Sequence, residues 1–162
     1  MNPRILVAGV GNIFLGDDGF GVEVARRLAR APVPDNVIVQ DYGIRGVHLA
    51  YQLLDEFELV VIVDAVSRGG APGTLYVIEP EVDVGKDQSI ADAHDMVLEH
   101  VFAQVRTLGG KLGRVIIVGC EVEDASERIG LRPSVESAVD EAVRVILELV
   151  GQSRESEVRK EA

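Results

Sequence analysis

Ile5-Leu-Val-Ala-Gly-Val10 is a run of six residues without a polar side chain. A strand that is apolar at every position, not at alternate ones, has to be covered on both faces. Sheets of parallel strands flanked by helices meet that condition, and it constrains this chain more than any other single feature. Further runs lie at Leu59 to Val63 and Val115 to Val118, with shorter ones at Val37 to Val39 and Leu75 to Ile78. Between them the spacing turns helical. Val24, Ala25 and Leu28 share one face of a helix over 21–30, closed by Pro32 and Pro34. Val47, Ala50, Leu53, Leu54 and Phe57 recur at the same spacing. So do Val97, Leu98, Val101, Val105 and Leu108, with Asp92 as cap and Gly109-Gly110 as terminator. A last stripe runs from Val135 to Leu149, with Ser134 as its cap.

This alternation, joined by right-handed crossovers, predicts an α/β fold. The expected form is one doubly wound, three-layer domain: a mostly parallel, twisted sheet of about five strands with helices on both faces. Leu75 to Ile78 follows its predecessor through Gly69-Gly70 and Pro72-Gly73 with no intervening helix, so it is expected to run antiparallel at an edge. Residues 80–93 read as an acidic, mobile loop. The domain is placed at 1–150, and 151–162 reads as a polar, disordered tail.

Hydrophobic residues make up 47% of the 162, but aromatics only 4%, so the core must be aliphatic. The net charge of −11 argues against nucleic acid and anionic membranes as partners. A single cysteine, Cys120, excludes an internal disulfide framework and a multi-cysteine zinc site. No apolar stretch approaches the ~18 residues of a membrane span, and Met1-Asn2-Pro3-Arg4 leads straight into a strand. A cytoplasmic location is expected.

A strand leading into Gly9-x-Gly11 invites a dinucleotide reading, but the third glycine position holds Phe14. The next helix is expected to open with Asp17-Asp18. Two acids at a helix start repel a phosphate and suit a cation. Asp18, beyond the first strand, and Asp64, ending the third, should meet beyond the carboxyl ends of the strands. His94 falls in the first turn of its helix, where the dipole disfavours the imidazolium and keeps the ring available as a ligand. Two carboxylates and an imidazole can bind nickel, zinc, iron or manganese. The plainer reading makes Asp18 a helix cap, Asp64 part of an Asx-turn and His94 a surface residue. Asp17 is either a second carboxylate of the site or a solvated helix-start acid. His48 and His100 lie within helices as packing or solvent-facing groups, and Cys120 reads as a small buried hydrophobe. There is no Gly-x-Ser-x-Gly elbow and no Gly-Lys-Ser/Thr phosphate loop.

Gly9-Val-Gly-Asn12 with Gly16-Asp-Asp-Gly19, Asp41-Tyr-Gly-Ile-Arg-Gly46, Val63-Asp-Ala65, Pro72-Gly-Thr74, His94 and Gly130-Leu-x-Pro-Ser-Val-Glu136 follow one another in order. Together they resemble the endopeptidases that mature nickel–iron hydrogenases. That resemblance implies an aspartic-type peptidase in which Asp18, Asp64 and His94 engage nickel and Asp18 and Asp64 are catalytic. Asp41, Gly43 and Gly46 would contact substrate. The second box has Asp41-Tyr-Gly where the family usually has Asp-Gly-Gly, a departure that bears on which hydrogenase subunit is accepted. The implied substrate is the precursor of a hydrogenase large subunit carrying its own nickel, so no resident cofactor is expected. The enzyme is read as a monomer. Two other readings stand beside it: a non-catalytic nucleotide- or small-ligand-binding module, and a metallo-hydrolase that keeps its own metal.

Overall fold

A computed structural model describes residues 4–43, 46–80, 93–122 and 129–161, without the side chains of 46–47, 93–97 and 152–161. The expected mobile loop and the Asp92 cap lie outside the described residues.

The strands are β1 (Ile5–Val10), β2 (Val37–Gly43), β3 (Leu59–Val66), β4 (Leu75–Ile78) and β5 (Arg114–Glu121). They form one sheet in the order β2-β1-β3-β5-β4. β1 pairs in parallel with β2 and β3, β3 pairs in parallel with β5, and β4 alone runs antiparallel, at an edge against β5. The fold class is the expected one. β3 is buried along its whole length and β5 in all but its first residue, as their unbroken apolar runs require.

Helices α1 (Phe20–Leu28), α2 (Gly46–Leu53), α3 (Ala93–Thr107) and α4 (Pro133–Glu161) cover the sheet. On one face Val61, Val63, Val118 and Cys120 pack with Phe20, Val24 and Leu28 of α1 and Val135, Val139 and Ile146 of α4. On the other, Leu6, Val60, Ile62 and Ile117 pack with Leu49 and Leu53 of α2 and Leu98, Val101 and Val105 of α3. The two clusters are successive residues of the same strands, split by the pleat.

Several boundaries differ from the sequence reading. β2, β3 and β5 each run longer, so Asp64 lies inside β3 and not at its end. Gly16–Gly19 is a separate 3-10 turn ahead of α1, which therefore does not open with the two aspartates. α4 starts at Pro133, whose missing N–H and fixed φ suit a first helical position, so Ser134 is inside the helix and does not cap it. α4 also continues to Glu161 where a disordered tail was expected from Gly151. Residues 152–161 lack an apolar stripe, but they contain no proline or glycine and are rich in Glu, Arg and Lys. Such residues propagate a helix already nucleated upstream.

Candidate active site at the carboxyl ends of the strands

Gly11, just past β1, has φ +138 and donates its N–H to the Gly43 carbonyl at 2.8 Å. This bond ties the end of β1 to the end of β2. The chain then folds back tightly, with Leu15 N–H on the Asn12 carbonyl at 3.1 Å and Asp18 N–H on the Leu15 carbonyl at 3.2 Å. Asp18 Oδ2 closes the loop by accepting the Asn12 N–H at 2.8 Å. A Cβ on Gly11 would stand 2.0 Å from the Asp18 carbonyl oxygen, so this loop admits no side chain at Gly11.

α1 is pressed onto the sheet directly after the turn. A Cβ on Gly21 would stand 2.1 Å from the Val63 oxygen, and one on Gly9 would stand 2.2 Å from the Gly21 oxygen. Glycine at 9 and 21 therefore serves helix-to-strand contact, which accounts for the glycine pattern without a nucleotide. The contact at Val63 brings the segment three residues after Asp18 against the residue before Asp64. Asp18 and Asp64 thus share the carboxyl rim of β1 and β3. Both are buried, at 6% and 3% exposure. Asp64 Oδ1 accepts the Ala65 N–H at 2.8 Å, so each carboxylate is oriented by a backbone donor.

By strand alternation Asp64 lies on the face of Val60 and Ile62, which α2 and α3 cover. α3 is followed by the connection to Arg114 at the amino end of β5 and packs along the sheet through Leu98, Val101 and Val105. Fifteen residues rise about 22 Å, so α3 begins towards the opposite, carboxyl rim. His94 is its second residue; the His94 side chain lies outside the described residues. Among the described residues no three metal-ligating side chains cluster.

Asp41 is exposed at the end of β2 in register with Gly9, and Gly43, with φ +56, pairs with Val10. Gly46 opens α2, and Ile44 and Arg45 between them lie outside the described residues. His48 and His100 are exposed on α2 and α3. Burial pushes the Cys120 thiol up to about 12, with the nearby Asp17 carboxylate acting in the same direction. It is a packing group and not a thiolate nucleophile.

Asp17 is not solvated. It is 1% exposed, accepts the Arg132 N–H at 2.8 Å and faces the Arg132 guanidinium at 3.9 Å. The sequence reading leaves out Arg132 and Glu121. Glu121 is 2% exposed and accepts bonds from Arg68 N–H to both oxygens at 3.0 and 2.9 Å. Gly70 N–H at 2.7 Å and the Tyr76 hydroxyl at 3.0 Å complete its set. Burial alone would raise its carboxyl pKa, but these donors outweigh it and hold the group below the usual range. The available signal was an acid straight after the run Val115 to Cys120, just as Asp64 follows Leu59 to Val63.

A family model described as hydrogenase maturation protease matches residues 22–149. The hydrogenase 2 maturation protease of Escherichia coli K12 is 31% identical over 160 residues, covering 98% of both chains. The solved structure of a hydrogenase maturating endopeptidase from E. coli superposes with a TM-score of 0.80 at 30% identity, covering 93% of each chain. The crystal structure of a hydrogenase 2 maturation peptidase from a Thaumarchaeota archaeon has a TM-score of 0.72 at 36% identity, covering 91% of this chain and 98% of that one.

Proposed function

Because this chain belongs to the hydrogenase maturation protease family, we propose that it removes the C-terminal extension from the nickel-loaded precursor of a nickel–iron hydrogenase large subunit. In this reading nickel is cargo of the substrate, and the peptidase has no resident metal. Asp18, Asp64 and His94 complete the open positions of that nickel. The observation that carries the reading is the shared rim of Asp18 and Asp64, two buried carboxylates that each accept a backbone N–H.

A donor set of two acids and one imidazole suits a divalent cation of borderline softness. Docking then brings the scissile peptide to the carboxylates only when nickel is present. The metal acts as a recognition element and polarises the peptide carbonyl, while Asp18 and Asp64 supply the aspartic-type chemistry. Asp41, Gly43 and Gly46 border the same rim and contact the substrate chain. The enzyme works as a monomer in the cytoplasm. Among the described residues no helix is long and apolar enough to cross a membrane.

The test is incubation with two forms of one purified precursor, nickel-loaded and nickel-free. The loaded form is expected to be cut and the nickel-free form to stay intact, with general serine and cysteine protease inhibitors having little effect. Efficient cleavage of the nickel-free precursor, or of an unrelated peptide, removes the metal from the mechanism.

A further inference from the structure

β2 is an outer strand of the sheet, and its seven residues contain neither proline nor lysine. β4, on the opposite edge, has only four residues. Long edges without such blocking features are templates for strand addition. Ile5 N–H donates to the Asn36 carbonyl at 3.0 Å, which fixes the phase of the ladder. In a parallel pair the bonding groups alternate along the strand, so Ile38 and Gln40 face β1 while Val37, Val39 and Asp41 turn theirs outward. Val37 N–H is taken by the Pro34 carbonyl at 3.0 Å, and the Asp41 carbonyl by the exposed Gln40 amide at 3.3 Å. No backbone bond to the outward groups of Val39 is present among the described residues.

Above this edge lies a groove of about 440 Å³, lined on one side by Ala25 and Arg26 of α1 with Ala29 and Arg30 just past its end, and on the other by Val39, Gln40 and Asp41. Arg26 on α1 and Arg30 two residues past its end are exposed, both line this groove, and neither is in an ion pair among the described residues. Their neighbour Arg27, by contrast, is held by Glu23 and by Asp140 at 2.8 Å. A chain with net charge −11 therefore presents, over an open strand edge, two guanidinium groups without an ion pair among the described residues. Moreover, β2 ends at Gly43, bonded to Gly11 beside the Asp18 loop, so the edge leads to the candidate active site.

We propose that the outer edge of β2, beneath Arg26 and Arg30, docks an extended, carboxylate-bearing segment of the large-subunit precursor as an added strand. This rests on reading the chain as the precursor-processing peptidase. Main-chain bonds to Val39 and Asp41 supply affinity, and acidic side chains on the α1 side pair with the two arginines. The segment is thereby aimed at Asp18 and Asp64.

The experiment uses full-length protein and the nickel-loaded precursor. Amide hydrogen exchange should slow at Val39 and Asp41 in the complex, whether or not cleavage follows. The double variant R26E/R30E should raise KM about tenfold with kcat within about twofold, the pattern of lost ground-state binding. V39P removes an outward N–H without breaking the ladder and should act in the same direction. Unslowed exchange at Val39 and Asp41, or an unchanged KM in R26E/R30E, overturns the docking site. So does concentration-dependent self-association of the free protein that R26E/R30E or V39P abolishes, which would make a second copy the occupant. A wild type that shows the exchange protection but cuts nothing overturns the proposed function and leaves the docking surface standing.

Discussion

Asp17 and Arg132 are 115 positions apart in the chain, yet the Asp17 carboxylate accepts the Arg132 N–H at 2.8 Å. Asp18, the next residue, turns instead to Asn12 at the end of β1. Two adjacent acids thus bind different parts of the chain. Asp17 fastens the 3-10 turn to the lead-in of α4, and Asp18 stays at the rim with Asp64. The acid that looked like a spare ligand is a brace for the turn that carries the real candidate.

Asp17→Ala leaves the Arg132 N–H without its acceptor and is expected to cost about 2–3 kcal/mol. Asp17→Asn keeps an acceptor oxygen and is expected to cost about 1 kcal/mol. Urea unfolding of both variants measures the difference. Equal losses would show that charge, and not the bond to Arg132, is what matters at this position.

Gly21→Ala should be among the most damaging one-methyl changes in the chain. The added carbon meets two backbone oxygens, Val63 at 2.1 Å and Val10 at 2.4 Å, and neither can rotate away. Lifting α1 off the sheet is expected to cost about 2–3 kcal/mol, and to separate Asp18 from Asp64. Denaturant unfolding together with precursor cleavage tests this. A variant of wild-type stability would mean that α1 is not seated as described.

Asp64→Asn can retain the oxygen that accepts the Ala65 N–H at 2.8 Å, while it removes the charge and turns the second oxygen into an N–H donor. Precursor processing should collapse while Tm changes by only a few degrees. A large fall in Tm accompanying the loss of activity would assign Asp64 a structural role.

The fold was legible because its evidence is local. Unbroken apolar runs at Ile5 to Val10 and Leu59 to Val63 can only be doubly covered strands. The turn-only link before Leu75 predicted the antiparallel edge found in β4. Asp18 and Asp64 could be placed on one rim because both follow apolar runs of a parallel sheet, although β3 itself continues past Asp64 to Val66. What escaped depends on tertiary contact. No spacing rule connects Asp17 to Arg132, or Glu121 to Arg68, Gly70 and Tyr76. The polar stretch after Gly151 misled for a different reason: without an apolar stripe there is no packing signal, yet helix formers still extend α4.

Glu121 gives the pH dependence its sign. Its donors hold the folded carboxyl below its ordinary value of 4.5 despite burial, so the folded state binds that proton more weakly than the unfolded chain. The stabilisation is therefore complete above about pH 4.5 and is lost as pH falls through the depressed folded value. Glu121→Gln cannot reproduce it. One of its two terminal atoms becomes an N–H donor, yet Arg68 N–H is directed at both oxygens and Gly70 and Tyr76 also donate. At pH 7 the variant should be clearly less stable than wild type, and the gap should narrow steadily below pH 4.5 as the wild-type carboxylate takes up its proton. Urea midpoints of the two proteins between pH 7 and pH 3 give the comparison, with every other acid common to both. A gap that stays constant across that range would mean that Glu121 holds the loop after β3 by shape alone, and not as an anion.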